Sequence, residues 1–131
     1  MTKLIAWIDE DRDKLGPIVW PLQEQGYTVK NYRDVKDALT AFDEILQADL
    51  ILLDLILPSG EFGKSAGRYA GINILRKIRD KTDTPVIILS VVTKEDILEQ
   101  ARQLGVSDII RKPILPYTLK DKVEAILPAS S

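Results

Sequence analysis

The sequence predicts an α/β domain, a doubly wound five-stranded parallel sheet with helices on both faces. Short apolar runs alternate with stretches of helical spacing, in units of about 25 residues. The run Leu50–Leu53 consists of four aliphatic residues, which is typical of a strand buried on both faces of a parallel sheet. Right-handed crossovers then favour the strand order 2-1-3-4-5, with ligands at the carboxyl ends of the first and third strands.

The length and composition limit the possible classes of protein. A chain of 131 residues suits a single domain spanning residues 1–131. It has no cysteine and no histidine, which excludes disulfides, thiolate metal sites and the commonest general base. The net charge of -2 gives no argument for a nucleic acid or an acidic membrane as partner. With no signal peptide and no apolar run long enough to span a bilayer, we expect a cytoplasmic protein.

The first unit begins with the apolar run Leu4–Ile8, which predicts the first strand. After an acidic turn, we expect a helix over residues 12–25. Two prolines interrupt it: Pro17 suits the first helical position, where its missing N–H costs little, and Pro21 predicts a kink. Gly26 fits the position that follows the helix.

The second and third units follow the same pattern. The weak alternation over Tyr27–Tyr32 predicts the second strand, and Asp34 is the expected N-cap of a helix that continues to about Leu46. After the third strand, residues 59–70 contain three glycines and no clear period, which predicts a long loop. Helical spacing returns over Ile72–Asp80.

The last two units complete the sheet. We expect a fourth strand closed by Ser90, a helix capped by Thr93 and ended by Gly105, a fifth strand and a last helix. The two strands and the last helix are predicted over Val86–Leu89, Asp108–Ile110 and Tyr117–Leu127.

Polar side chains follow four of the five predicted strands. They are Asp9, Glu10 and Asp11 after the first, Asp54 after the third, Ser90 after the fourth and Lys112 after the fifth. Each has an ordinary explanation when taken alone, such as a solvated turn, a helix cap or a strand exit. Because the carboxyl ends of parallel strands meet at one edge of the sheet, we expect these residues to form one site.

The chemistry of that edge points to phosphoryl transfer. Several carboxylates close together cannot all stay ionised without a cation, and oxygen ligands alone favour a hard ion such as Mg²⁺. Lys112 adds a fixed positive charge. We therefore predict that Asp54 receives a phosphoryl group and becomes an acyl phosphate, with the Ser90 hydroxyl donating to a phosphate oxygen.

Four motifs resemble those of the receiver domain of two-component response regulators, and the resemblance covers essentially the whole chain. The motifs are Ile8–Asp11, Leu53–Pro58, Val86–Ser90 and Gly105–Pro113. The resemblance implies a flavodoxin-like fold in which Asp54 accepts phosphate from the phosphohistidine of a sensor kinase or phosphotransfer protein. It also implies that Mg²⁺ is held by Asp9, Glu10, Asp54 and the backbone carbonyl of Ile56.

By the same resemblance, Ser90 and Lys112 contact the phosphoryl group and report it to the face formed by the fourth helix, the fifth strand and the fifth helix. A downstream protein target is expected to bind that face. We expect a stand-alone domain that catalyses only its own phosphorylation and dephosphorylation, rather than a conventional enzyme. Direct contact with nucleic acid or a membrane is not expected.

The sequence departs from the family pattern in four places. Glu10 replaces a second aspartate, Val91 replaces a small residue, Ile109 replaces an aromatic residue, and the loop before the third helix is longer than usual. These changes leave open an alternative, a module of the same fold that binds proteins without phosphate. A flavin-binding domain is disfavoured because the acidic turn repels a flavin phosphate, and an aspartate-nucleophile phosphatase because Ile56 stands where a second acid is needed.

Two further predictions concern the surroundings of the acceptor. Ile56 and Val92 stand where the family flanks the attacking water, and because both are apolar we predict a long-lived phosphoaspartate. The long loop of residues 59–70 begins beside the acceptor, and we predict that it tunes which kinase can phosphorylate Asp54.

Overall fold

The computed structural model describes residues 2–58 and 68–128. It confirms the predicted sheet, which has five parallel strands in the order β2-β1-β3-β4-β5. The strands β1 to β5 are Leu4–Ile8, Thr28–Tyr32, Leu50–Leu53, Val86–Ser90 and Asp108–Arg111. The helices α1 to α6 are Arg12–Glu24, Val35–Thr40, Phe42–Leu46, Ala70–Arg79, Glu95–Gln103 and Pro116–Ile126. Most of the predicted long loop, residues 59–67, lies outside the described residues, and so does the basis of its proposed role.

The sheet separates two apolar cores, because successive side chains of each strand point to opposite faces. On one face, Leu50 and Leu52 pack with residues of α1 and α6. On the other face, Ile51 and Leu53 pack with residues of the remaining helices. All four β3 side chains are fully buried, which explains the uninterrupted aliphatic run. None of the helices in the described part of the chain is both long and apolar enough to cross a membrane.

The first helix begins where it was predicted, but the structure corrects the position given to Pro17. Helix α1 begins at Arg12, so Pro17 and Pro21 both lie inside it and Pro17 is not its first residue. Pro17 is an interior residue because the first turn forms upstream of it, where the Asp11 carbonyl accepts a hydrogen bond from the Leu15 amide at 2.8 Å. Gly26 follows the helix with a φ of 99°, as predicted.

Two other helix boundaries differ from the prediction. Asp34 does cap a helix, accepting a bond from the Asp37 amide at 2.7 Å, but that helix stops at Thr40 and a second one begins at Phe42. The fourth and fifth predicted helices are therefore α5 and α6. Thr93 is not the N-cap of α5: Lys94 occupies that position, without a side-chain cap.

Candidate functional site

Three carboxylates and one ammonium group meet at the carboxyl edge of the sheet. Nζ of Lys112 lies 3.0 Å from Oδ2 of Asp9, 2.9 Å from Oδ2 of Asp11 and 2.9 Å from Oδ2 of Asp54. Asp9 follows β1, Asp54 follows β3 and Lys112 follows β5, so the parallel sheet itself brings together residues about a hundred positions apart. We call these four residues the acceptor site.

The acceptor site is largely shielded from solvent. The side chain of Asp9 is fully buried, and those of Asp54 and Lys112 are 8% and 7% exposed, whereas that of Asp11 is 36% exposed. Charges in such a place interact strongly because little water screens them. One ammonium group for three carboxylates leaves the site with an excess of negative charge.

The pKa values of Asp9 and Lys112 reflect this balance. Burial raises the pKa of Asp9 to about 6 and the charge on Asp54 adds to this effect, while Lys112 offsets it in part. Burial alone lowers the pKa of Lys112, but the carboxylates of Asp9 and Asp54 outweigh it and raise that pKa. A second cation at this site relieves the same excess of negative charge.

The Asp54 carboxylate is fixed from two sides. Its Oδ1 accepts a hydrogen bond from the Ile56 amide at 3.0 Å, and its Oδ2 accepts one from Lys112 at 2.9 Å. Helix α4 packs directly against this segment: a Cβ atom on Gly71 would lie 2.1 Å from the Asp54 carbonyl oxygen. Glycine is therefore required at the start of α4 if the backbone of Asp54 is to keep its position.

Ser90 lies at the end of β4 and is buried, with its Oγ accepting a hydrogen bond from the Val92 amide at 3.1 Å. In the described residues, Ser90 makes no side-chain hydrogen bond to the acceptor site. Val91 is 57% exposed and lines a groove together with Asp11 and Lys112. The predicted contact between Ser90 and a phosphoryl oxygen stays a prediction.

The structure separates the two acids that follow Asp9. Ligand oxygens of Asp9, Asp11 and Asp54 lie within 4.8 Å of one another, which makes them a candidate metal-binding group. Glu10 is exposed and does not belong to that group. The turn explains the difference: the Asp11 amide donates to Oδ1 of Asp9 at 2.9 Å, which turns Asp11 back toward the site. Asp11 was predicted to lie at this edge of the sheet, but nothing in the sequence indicated that it, rather than Glu10, joins the group.

The residues present fit a hard cation. Oδ2 of Asp9 is buried and makes no hydrogen bond within residues 2–58 and 68–128, although it lies 3.0 Å from Nζ of Lys112. The short distance between these two atoms shows an ionic contact, but their relative orientation does not make a hydrogen bond. Oδ2 of Asp9 therefore keeps a lone pair available for a cation. The Ile56 carbonyl also has no hydrogen-bond donor among these residues.

Comparison with known proteins identifies the family. Residues 5–124 match the model of the response regulator receiver domain. The chain belongs to this family. It is 31% identical over 127 residues to the regulatory protein VanR of Enterococcus faecium, covering 97% of this chain and 51% of that protein. It is 30% identical over 127 residues to the DNA-binding response regulator MtrA of Mycobacterium tuberculosis, again covering 97% of this chain and 51% of the relative. The receiver thus spans about half the length of these curated relatives.

Solved structures agree with this assignment. The receiver superimposes on a two-component response regulator from Clostridium difficile with a TM-score of 0.80 and 27% identity, covering 96% of each chain. The BeF3-activated receiver domain of DrrB gives a TM-score of 0.77 and 26% identity, covering 97% of this chain and 98% of that one. The predicted family and fold are confirmed.

Proposed function

We propose that this chain acts as one phospho-accepting receiver domain of a two-component system, with Asp54 as the acceptor. The observation that carries the proposal is the buried Asp54 carboxylate, 2.9 Å from the Lys112 ammonium and grouped with Asp9 and Asp11. A carboxylate shielded from water and oriented by two donors is suited to attack an incoming phosphorus atom. Membership of the receiver family supports the same role.

In the proposed reaction, a carboxylate oxygen of Asp54 attacks the phosphorus of a phosphohistidine on the donor protein. The new P–O bond forms as the P–N bond breaks, and the leaving imidazole takes up a proton. The Lys112 ammonium, already in contact with this carboxylate, balances the charge on the transferred oxygens. The Ser90 hydroxyl, buried at the end of the neighbouring strand β4, donates to one of them. Its oxygen can keep the bond that it accepts from the Val92 amide, because that bond leaves the hydroxyl hydrogen free.

Mg²⁺ fits this site and, when bound, neutralises charge that develops on the transferred oxygens. We propose that Asp9, Asp54 and the Ile56 carbonyl hold it. Glu10 stays a predicted ligand, and its exposed side chain must turn inward to take part. Asp11 is the alternative because its carboxylate already lies in the group.

A calorimetric Mg²⁺ titration decides between the two acids. Glu10→Gln and Asp11→Asn remove one charge each from adjacent positions, so they serve as controls for one another. The variant that weakens Mg²⁺ binding identifies the third carboxylate ligand. Unchanged affinity in both variants and in Asp54→Asn would show that the ion binds elsewhere.

The acceptor itself is tested by mass spectrometry after treatment with acetyl phosphate and Mg²⁺. We expect the mass of one phosphoryl group to be added to the protein and none to the Asp54→Asn variant. A wild-type protein that stays unmodified while folded would favour the alternative, a protein-binding module that works without phosphate. Addition to the Asp54→Asn variant as well would place the acceptor at another residue.

We further propose that the phosphoryl donor is a sensor histidine kinase or a phosphotransfer protein. A downstream protein target binds the face formed by α5, β5 and α6. The relatives support a role in two-component signalling, but MtrA is described as DNA-binding over a length about twice that matched here. The absence of direct contact with nucleic acid, and a cytoplasmic location, stay predictions for this chain.

A further inference from the structure

Asn31 is a polar residue one position before the end of β2, an edge strand of the sheet. Asparagine is disfavoured in strands, where β-branched and aromatic residues fit better. Its side-chain Nδ2 donates to the carbonyl oxygen of Trp7 at 3.0 Å and to that of Asp9 at 3.1 Å. Asn31 and Trp7 are register partners across the β1–β2 pair. The side-chain amide thus connects the edge strand to the end of β1, where the acceptor site begins.

The carbonyl of Asp9 depends on this side chain. The Asp9 amide donates to the Tyr32 carbonyl at 3.0 Å, which is the last backbone bond between these segments. Because β2 ends at Tyr32, no further strand amide reaches the Asp9 carbonyl, and Asn31 supplies its hydrogen bond in the part of the chain that the structure describes. Bonds on both of its peptide groups therefore hold Asp9 and fix the direction of its Cα–Cβ bond.

The Asn31 side chain donates two hydrogen bonds, but its own oxygen accepts none within the described residues. Its Oδ1 is buried and makes no hydrogen bond within the described residues, and the same is true of Nε1 of the neighbouring Trp7. A buried acceptor without a partner destabilises the fold, whereas an apolar side chain avoids that cost. This cost offsets what the two donated bonds contribute, so stability alone does not explain an asparagine here. The bond to the Asp9 carbonyl gives a reason for it.

We propose that Asn31 is a positioning residue that orients the Asp9 carboxylate for cation binding. This inference rests on the proposed Mg²⁺ role of Asp9. Asn31 itself does not contact the ion: it acts through the backbone of Asp9, which it holds from the edge strand. Partners that orient metal ligands typically change metal affinity by about 10- to 100-fold when they are removed.

The first test is Asn31→Val, which removes both donors and suits a strand. We expect Mg²⁺ affinity, measured by calorimetry, to fall about tenfold. The urea midpoint should change little, because the variant leaves the Asp9 carbonyl without its donor but also removes the unpaired Oδ1. The Mg²⁺ concentration for half-maximal phosphorylation by acetyl phosphate should rise, with the rate at saturating Mg²⁺ unchanged. Gln23→Leu is the matched control because Gln23 is another side-chain amide and lines, together with Asn31, a groove between α1 and β2. It should leave the affinity unchanged.

A second readout does not require the ion. In the Mg²⁺-free protein, hydrogen exchange at the Asp9 amide should be faster in Asn31→Val and in Asn31→Thr than in wild type. Unchanged affinity and unchanged exchange in a folded variant overturn the proposal. Loss of affinity only in parallel with loss of stability also overturns it, since that indicates a structural role. If wild type neither binds Mg²⁺ nor accepts phosphate, the proposed function fails, and the exchange result still reports whether Asn31 holds Asp9.

Discussion

The acceptor site and the edge of the sheet at β5 are held in different ways. In the acceptor site, an ammonium group that is 7% exposed contacts three carboxylates at about 3 Å, two of which directly follow a strand. At the β5 edge, the ion pair of Lys122 in α6 with Asp108 is shorter still, at 2.6 Å, but the two side chains are 43% and 33% exposed. Similar distances therefore do not imply similar energies, because water screens the second pair and not the first.

The largest expected effect comes from removing the ammonium group of the acceptor site. Lys112→Met leaves Asp9 and Asp54 buried without a counter-charge, and we expect the free energy of unfolding at pH 7 to fall by about 3 kcal/mol. The control is Lys122→Met, for which we expect a change within about 0.5 kcal/mol. Urea unfolding of both variants, without Mg²⁺, measures the difference. Equal losses would show that burial does not separate the two pairs.

A somewhat smaller effect is expected from Asp9, and it depends on pH. The pKa of Asp9 is raised from 3.8 in an unfolded chain to about 6 in the folded protein, so the folded protein binds this proton more tightly. Stability from this group is present below about pH 4 and is lost as the pH rises through about 6. Asp9→Asn removes that loss, so we expect it to stabilise the protein by about 2 kcal/mol at pH 7.

Urea unfolding without Mg²⁺, at several pH values from 4 to 7, measures this prediction for Asp9→Asn and wild type. The two curves of stability against pH should meet near the acid end and diverge toward neutral pH. A variant that is less stable than wild type at pH 7 would instead mean that the contact with Lys112 outweighs the cost of burying the carboxylate.

The difference between strands and turns explains which features could be predicted from the sequence. The strand order, the burial of β3 and the convergence of Asp9, Asp54 and Lys112 all follow from the apolar runs and from parallel strand geometry. The choice between Glu10 and Asp11 does not, because it depends on a turn in which the Asp11 amide bonds back to Asp9. The position of a residue in a strand can be predicted from the periodicity of apolar residues. The path of a turn depends on individual hydrogen bonds, which leave no periodic pattern in the sequence.

Two predictions of helix boundaries were wrong for a related reason. Thr93 is a good capping residue by type, but the chain stays extended through Lys94 before α5 begins. The break between α2 and α3 falls at Ala41, with φ of -103° and ψ of 23°, where neither glycine nor proline marks it. Asn31 was not recognised because a single amide in a strand has no motif, and its role depends on where β2 ends.

A further prediction concerns the lifetime of the phosphoryl group, which we expect to depend on Ile56, two residues after the acceptor, and on Val92, two residues after Ser90. Val92 is buried and Ile56 is half-buried, and neither can orient a water molecule. We expect Ile56→Asn together with Val92→Lys to speed dephosphorylation by about tenfold or more. Decay of the acyl phosphate is followed by mass spectrometry, with the single variants as controls. The same rate in the double variant and wild type would rule out this explanation of the lifetime.

The smallest expected effect concerns Ile109, a half-buried residue of β5 that lines a groove with Ser90 and Arg111. An aliphatic side chain has no ring to move and no hydroxyl to exchange partners, so phosphorylation should change β5 less than the segment after Ser90. Reversing a two-state population from 1:99 to 99:1 requires about 5.5 kcal/mol. We expect less here, so the active state should already be partly populated without phosphate.

NMR spectra with and without a phosphate analogue should then show graded shifts, larger at Val91 and Val92 than at Ile109. Ile109→Tyr restores a ring and a hydroxyl, and it should enlarge the response at β5. An all-or-none change centred on Ile109 in the wild-type protein would contradict the expected weak coupling between phosphorylation of Asp54 and β5.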